Sequence, residues 1–460
     1  MGLYAKAVQH VVNPLFLIRE GSARQLRYLK EMEEVQFYSR SRLLEFQWER
    51  LHALLKHAYR SCPFYAKRFR EAGIDPERMQ SPDDLQKLPT LSKSEIQEHM
   101  SEMISQDFLD KALIRDKTGG STGSPLVFYY ERERLDSRHA AAVRHNRWAG
   151  WDIGDKVGLI WGAYSDLVGF RRLRSRLRNK ILTRYLVLDT SAMTEELLGQ
   201  YAKELRSYKP KILLAYTNSL VMLANYMKDH GIDDIRPKGI VCTCEVLTPE
   251  YRKLIESVFG CKVFDRYGSR EVSVIASECD RHEGMHVNAD NLFLEFSRDG
   301  RNVGPGGTGE ILITDLRNYG MPLIRYRIGD MGSPSDKICG CGRGLSMMQM
   351  VAGRVTDFIV TPEGKIVSGV ALATYMITNI RGIGQVQLVQ DEIHKLRIRL
   401  IRNEQYTEET SKELLARARK FLGSGMAFEI EFVEDIPKSP SGKMLFSVSS
   451  VTKKYFSTPS

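Results

Sequence analysis

Apolar residues recur at helical spacing early in the chain and gather into short runs later, and this change of period divides it. Over residues 41–73, Leu44, Trp48, Leu51, Leu55, Ala58 and Tyr59 fall largely three or four apart, the repeat of one helix face. Pro63 breaks that run, since proline lacks an amide donor and clashes with the preceding turn. Residues 81–90 read as a connector with Pro82 and Pro89 as its breakers. Residues 1–116 are therefore expected to be mainly helical. From residue 117 onward, short apolar runs at 157–161, 212–215, 239–242, 262–264, 292–296 and 310–314 predict strands. Stretches at 194–207, 219–230 and 249–259 predict helices between several of them. Strand–helix alternation of this kind argues for a layered α/β fold.

A second change of pattern falls at 352–357. Strand-like segments at 357–361 and 365–367 flank the turn Pro362-Glu363-Gly364. A helix at 369–379, strands at 386–390 and 395–400, a helix at 408–421 and a last strand at 428–432 follow. This is an α+β unit of ordinary domain size. The expected organisation is a large N-terminal α/β domain over 1–352, with 1–116 as its helical lead-in, and a small C-terminal α+β domain over 353–460.

Composition changes this picture only at its edges. At 460 residues the chain exceeds one ordinary core, which favours the division. No run of 18 apolar residues occurs, so no transmembrane helix is expected. The first apolar run is broken by Asn13 and Pro14 and has no small-residue cleavage site, against a signal peptide. Lys6 stands where a myristoylation signal needs Ser or Thr. The expected location is the cytoplasm. A net charge of +10 suits ATP, coenzyme A, nucleic acid or an anionic membrane surface, without choosing among them. The sharpest basic run, 171–180, reads as a solvated helix face, with peripheral membrane contact or an anionic substrate left open. Aromatic residues are not interleaved with it, so nucleic acid is not expected. Homodimerisation is left open. Seven scattered cysteines, an odd number, argue against a disulfide framework.

Four segments offer chemistry. In Thr118-Gly119-Gly120-Ser121-Thr122-Gly123-Ser124-Pro125, small residues let the backbone approach a ligand, and amides and hydroxyls can surround phosphate oxygens. A flexible surface turn has the same composition, and the Gly-Lys-Ser/Thr ending of a Walker loop is absent. In Asp265-Arg266-Tyr267-Gly268-Ser269-Arg270-Glu271, an aromatic ring before glycine can stack on a base, and the carboxylate four residues on can hold Mg²⁺ against phosphate. A loop with a packed tyrosine reads the same way. In Tyr326-Arg327-Ile328-Gly329-Asp330, the carboxylate can accept from ribose hydroxyls, or the segment is an ordinary turn. Lys443, ending Pro437-Lys438-Ser439-Pro440-Ser441-Gly442-Lys443, is simply exposed unless it folds over a site.

Order and spacing join these segments. The sequence resembles the adenylate-forming superfamily of acyl-CoA synthetases, adenylation domains and luciferases. Thr118–Pro125 matches its phosphate loop and Tyr267–Glu271 its aromatic-Gly-x-x-Glu motif. Tyr326–Asp330 matches Tyr-Arg-x-Gly-Asp, Gly353-Arg354 begins the hinge motif, and Ser441-Gly442-Lys443 carries the terminal lysine. Within the superfamily the chain is similar to the phenylacetate–CoA ligase branch and its capsular polysaccharide biosynthesis (CapK-like) subgroup. The stretches 57–65, 88–93 and 118–130 carry that likeness. The resemblance implies an adenylation domain followed by a small mobile domain, and ATP-dependent activation of a carboxylic acid with coenzyme A as acceptor. It implies Lys443 and Glu271 as catalytic residues, Glu271 through Mg²⁺. Thr118, Gly119, Gly120, Ser121, Thr122, Gly123, Glu245, Tyr267, Gly268, Ser269, Asp330 and Arg354 would bind the nucleotide. Trp161, Tyr164, Tyr216, Asn218, Thr243 and Cys244 would line the acyl pocket. The chain departs from the superfamily at Leu126 (often lysine), at Thr243-Cys244-Glu245 (usually Gly-Gly/Ala-Glu) and at Thr356 (commonly Asp). An amine or hydroxyl acceptor is the alternative, and a non-catalytic nucleotide-binding relative a lesser one. The acid itself is not legible.

Cys279-x-x-His282 and Cys339-x-Cys341 supply thiolate and imidazole in two close pairs, the donors of a tetrahedral structural Zn²⁺ site. His286 competes with His282 as fourth ligand.

Overall fold

A computed structural model of the chain describes residues 3–118, 126–161, 178–190, 195–354, 358–363, 366–368, 372–373, 376, 380–423, 425–437 and 445–451. In the helical opening, helices Arg40–Ser61 and Pro63–Glu71 adjoin. Pro63 takes the first position of the second helix, where its missing amide has no partner to lose. Ser39 Oγ caps the first helix by accepting from Arg42 N–H. The buried face is Leu43, Gln47, Leu51, Leu54, Leu55 and Ala58. Leu44, expected inward, is exposed, one position round from Leu43.

Strands β1 (Ile114–Lys117) and β2 (Val127–Tyr130) pair as a hairpin. A twelve-stranded sheet follows. Its parallel half is β3 (Val157–Trp161), β4 (Tyr185–Asp189), β5 (Ile212–Tyr216), β6 (Gly239–Thr243) and β7 (Lys262–Ser269), in spatial order β4-β3-β5-β6-β7. Its antiparallel half is β8 (Ser273–Glu278), β9 (Met285–Val287), β10 (Leu292–Arg298), β11 (Arg301–Asn302), β12 (Gly309–Asp315), β13 (Tyr326–Ser335) and β14 (Met347–Arg354), continuing as β8-β9-β14-β13-β12-β10-β11. The near-continuous apolar runs of β3, β5 and β6 suit parallel strands covered on both faces. Leu205, Leu220, Leu223 and Phe259, from helices Glu195–Tyr208, Thr217–Asp229 and Pro249–Phe259, pack on Leu213 and Ile240. Helix Arg132–Trp148 contributes Ala140 and Ala141 to a core shared with Val157 and Ile212.

That last helix gave no periodic signal because it buries charge instead of an apolar stripe. Arg134 Nε donates to Asp315 at 2.7 Å, and Arg144 donates to both carboxylate oxygens of Asp290 at 2.8 and 3.0 Å. Both guanidinium groups are buried with their partners, and further bonds from Arg134 to Val272 O and from Arg144 to Met32 O and Asn288 Oδ1 offset the cost of burying the charge.

At the C-terminal end, β15 (Phe358–Val360) pairs with β16 (Ile366–Ser368). A separate four-stranded sheet runs β19-β18-β17-β20, with β17 (Ile383–Glu392), β18 (Lys395–Arg402), β19 (Ala427–Phe432) and β20 (Ser447–Ser449). Leu414, Ala418 and Leu422 of helix Glu408–Leu422 pack on Val386, Leu388, Leu396, Ile398 and Leu400 in a core of their own. Leu372, Ala373 and Met376, from the helix expected at 369–379, join it. Strand 428–432 is not the last, as β20 adds parallel to β17; three residues of Ser-Val-Ser are too short and polar to signal a strand. The chain is thus a large α/β unit with a separate small α+β domain. Among the described residues no helix is long and apolar enough to cross a membrane.

Candidate active site

The carboxyl ends of β3, β5, β6 and β7 bring Trp161, Tyr216, Thr243 and Tyr267 to one edge of the sheet, the edge where ligands bind in α/β sheets. The Trp161 and Tyr216 rings lie 4.4 Å apart between centroids. Asn218 is the second residue of the helix after β5, and its amide donates to Glu245 Oε2 at 2.8 Å, while Thr217 Oγ1 donates to Glu245 O at 3.1 Å. The Glu245 carboxylate therefore satisfies an unpaired helix N-terminal amide. Cys244, beside it, has φ +70°, the left-handed region that favours glycine. Cysteine holds this backbone at a strain of about 1–2 kcal/mol.

Two sequence motifs interlock here. Tyr267 Oη donates to Asp330 Oδ2 at 2.7 Å, and Tyr326 Oη donates to Glu271 Oε1 at 3.0 Å. Each motif's tyrosine thus holds the other motif's carboxylate, although β8, β9 and β14 separate β7 from β13 in the sheet. A Cβ on Gly268 would lie 2.7 Å from Ser273 O, so a side chain there would force the β7–β8 hairpin open. Ser269 Oγ accepts from Val272 N–H at 3.4 Å within that turn. The 88–93 stretch docks alongside: Leu91 N–H donates to Arg325 O and Leu91 O accepts from Arg327 N–H, both at 2.9 Å. Arg354 closes β14, its Cα opposite Asp330 in register.

The phosphate-type loop leaves from the β1–β2 hairpin. Thr118 N–H donates to Leu126 O and Leu126 N–H to Thr118 Oγ1, each at 2.9 Å, so Thr118 clasps the loop base. Asp116 of β1 lies 3.8 Å from the Arg270 guanidinium, and Arg138 donates to Arg270 O. The loop base therefore stands beside the Tyr267–Glu271 motif. Gly119, Gly120, Ser121, Thr122, Gly123, Tyr164 and Lys443 lie outside the described residues, as do Thr356 of the hinge and 171–177 of the basic run.

The cysteine pairs converge, and of the two competing histidines His286 joins them. Ligand atoms of Cys279, His286, Cys339 and Cys341 all lie within 4.8 Å of one another. Cys279 and Cys339 sulfurs are 3.6 Å apart, and Cys341 Sγ is 3.3 Å from His286 Nε2. His282 is excluded. At φ +54° it turns off the end of β8, with Nδ1 3.2 Å from Glu278 Oε2, whereas His286 sits in β9 facing the cluster.

The acidic residue of β7 is Asp265. It lies two residues before Tyr267 on β7, a spacing that returns a strand to the same face. It borders a cavity of about 760 Å³ with Leu247, Arg252, Glu278, His282 and Met348. Burial, and then the Glu278 carboxylate, push its carboxyl up to about 7. Arg252 donates to both Glu278 oxygens at 2.8 and 2.9 Å.

Residues 359–450 match the CapK C-terminal domain family. The chain is 25% identical to protein CapK of Staphylococcus aureus over 419 residues, 89% of this chain and 90% of that protein. It is 27% identical to phenylacetate-coenzyme A ligase of Pseudomonas putida over 334 residues, 69% of this chain and 72% of that one. Among solved structures, 2-hydroxyisobutyryl-CoA ligase in its postadenylation state, in complex with 2-HIB-AMP, superposes with a TM-score of 0.74 at 18% identity, covering 92% of this chain and 93% of that chain.

Proposed function

We propose that this chain, a member of the adenylate-forming superfamily with a C-terminal domain of the CapK family, joins a carboxylic acid to AMP with release of pyrophosphate and then passes the acyl group to coenzyme A. The observation that carries the proposal is the crossed pair of hydrogen bonds from Tyr267 to Asp330 and from Tyr326 to Glu271. It supports a single site in which both motif carboxylates are held beside the loop base at the carboxyl ends of the strands.

In this reading Asp330 takes the ribose hydroxyls, and Tyr267 with Gly268 and Ser269 lies along the base. Thr118 and Gly119–Gly123 hold the outer phosphates, and Glu271 would hold Mg²⁺, whose charge would offset that of the phosphates. Lys443 bridges the attacking carboxylate and the α-phosphate. Trp161, Tyr164, Tyr216, Asn218, Thr243 and Cys244 wall the acyl group. The small domain, 353–460, turns on the large one, 1–352, about a hinge opened by Arg354, so that Lys443 leaves and the acceptor enters. Cys279, His286, Cys339 and Cys341 fit Zn²⁺ in a structural role: four soft or imidazole donors, three of them buried, close enough to share one ion. The cytoplasm is the compartment that fits free cysteines, ATP and coenzyme A together.

One observation favours keeping an amine or hydroxyl acceptor as a second reading. The domain that governs the second half-reaction is of the CapK type, while the P. putida coenzyme A ligase matches only 69% of the chain.

The test is carboxylate-dependent pyrophosphate exchange over a panel of acids, followed by product analysis with and without coenzyme A. Lys443→Ala is expected to slow exchange roughly 10²–10³-fold, the usual loss for one preorganised stabiliser of transition-state charge, with thermal unfolding unchanged. Near-normal exchange in that variant would remove the role given to Lys443.

A further inference from the structure

The amino ends of the parallel strands carry an unused row of cations. Arg184, Lys156, Lys211 and Lys238 each stand immediately before a strand: β4, β3, β5 and β6, neighbours in that order. The backbone ties them together. Val157 N–H donates to Arg184 O, Lys211 N–H to Lys156 O and Lys238 N–H to Lys211 O, at 2.8–2.9 Å. With strands about 4.8 Å apart, the row spans roughly 14 Å. Arg206, Lys209 and Arg236 join it around a cleft of about 590 Å³, whose acidic lining is Asp155 and Asp234 alone. Arg206 already pairs with Asp234. The ammonium groups of Lys209, Lys211 and Lys238 have no hydrogen bond or ion pair among the described residues. This end of the sheet is opposite the candidate active site.

An exposed apolar surface adjoins the cleft. Residues 3–19 are helical throughout, as Leu3–Ala7, a π turn Val8–Val12 and Asn13–Arg19. Ala5, Val8 and Leu17 face inward, while Leu3, Tyr4, Val11, Val12, Leu15 and Ile18 face solvent, Leu3 at 89% exposure and Leu15 and Ile18 at 62%. Lys6, His10 and Arg19 are interspersed and exposed. Ile181 extends the patch, with Tyr4 Oη donating to Ile181 O at 2.8 Å. Arg184 connects the two surfaces: it lines the cleft, lies 4.8 Å over the Tyr4 ring, and donates to Gly154 O at 2.6 Å.

We propose that this surface docks the protein on an anionic lipid membrane, the outward side chains of residues 3–18 entering the headgroup–acyl boundary and Arg184, Lys209, Lys211 and Lys238 meeting lipid phosphates. Apolar side chains outward on a helix with a basic surround are the signature of an interfacial helix. A soluble monomer rarely leaves such residues contiguous and uncovered. A second copy docking through the same face would set one row of cations against another, whereas an anionic membrane supplies the missing charge. Docked this way, the carboxyl ends of the strands face water and the candidate active site stays open.

The test is flotation of the purified full-length chain with vesicles of phosphatidylcholine alone and of phosphatidylcholine mixed with phosphatidylglycerol, across a salt titration. Binding is expected to the mixed vesicles only, falling as salt rises. The triple variant Lys209→Gln, Lys211→Gln, Lys238→Gln should partition on the order of a hundredfold more weakly. The double variant Leu15→Ser, Ile18→Ser should partition at least about tenfold more weakly. Both should keep the parent's unfolding midpoint and pyrophosphate exchange in the absence of vesicles. The proposal is overturned if the unmodified chain does not float with mixed vesicles at low salt, or if its binding is indifferent to salt. It also falls if either variant floats like the parent, or if light scattering shows a dimer that Leu15→Ser, Ile18→Ser converts to monomer.

Discussion

At Asp265 a carboxyl group stands in β7 two residues from Tyr267, raised by burial and by Glu278 from 3.8 to about 7. The sign of the consequence follows from proton counting. The native state keeps a proton that the unfolded state releases, so the stabilisation is complete below the unfolded value and is lost as pH climbs to about 7. The full shift would convert to roughly 4 kcal/mol. Because Asp265 borders the cavity and is only partly shielded, a loss of about 1–2 kcal/mol is expected. Asp265→Asn cannot ionise. The stability of the parent relative to this variant, from denaturant melts at successive pH values, should therefore decline from pH 4 to pH 7 and then level off. A difference that does not change with pH would contradict the assignment. Nothing in the sequence marks this carboxyl apart from its place in the motif, because a strand's inward and outward charges are written with the same letters.

Among the elements, β9 is too short to be read from its sequence. It has three residues, Met285–Val287, between β8 and β14, yet it carries His286 into the cluster. Cys279 follows β8, and Cys339 and Cys341 lie in the connection from β13 to β14. One ion held by these four would tie three segments of the sheet's middle. The prediction is about one Zn²⁺ per purified chain, with a chelator or Cys341→Ser lowering stability by about 3–4 kcal/mol, the linkage of a metal in several-hundredfold excess over its Kd. His286→Ala should lose the metal and His282→Ala keep it, as read by metal analysis. The reverse pattern, or metal-free protein of unchanged stability, would reject the site. The cysteine pairs were legible because close thiol spacing is rare outside metal or redox chemistry. The histidine was not, because His282 and His286 both satisfy the spacing and only the left-handed turn at His282 separates them. The same reasoning explains helix Arg132–Trp148: its inward positions include Arg134, Asp136, Arg138 and Arg144, so a search for apolar period passes over it. Strands with uninterrupted apolar runs, β3, β5 and β6, were readable to within a residue.

For the whole molecule, the described residues pack into separate cores. Leu220, Leu223 and Phe259 belong to a core under the parallel strands, whereas Leu414, Ala418 and Leu422 close a different core with β17 and β18. Separate cores unfold as separate cooperative units when the surface between them is small. Calorimetry of the full chain is therefore expected to resolve two transitions. Leu414→Ala, at a fully buried position, should lower one of them by about 2–5 kcal/mol of stability, and Leu220→Ala, equally buried, should lower the other. Merged transitions that both variants shift together would mean a single cooperative unit and would leave no basis for a turning domain. The outcome also bears on catalysis, because Lys443 belongs to the 353–460 segment and Glu271 and Asp330 to the rest. If the units are independent, warming Leu414→Ala through its own transition should abolish pyrophosphate exchange while the large unit, with both motif carboxylates, is still folded. Exchange that survives until the second transition would place the catalytic cation elsewhere.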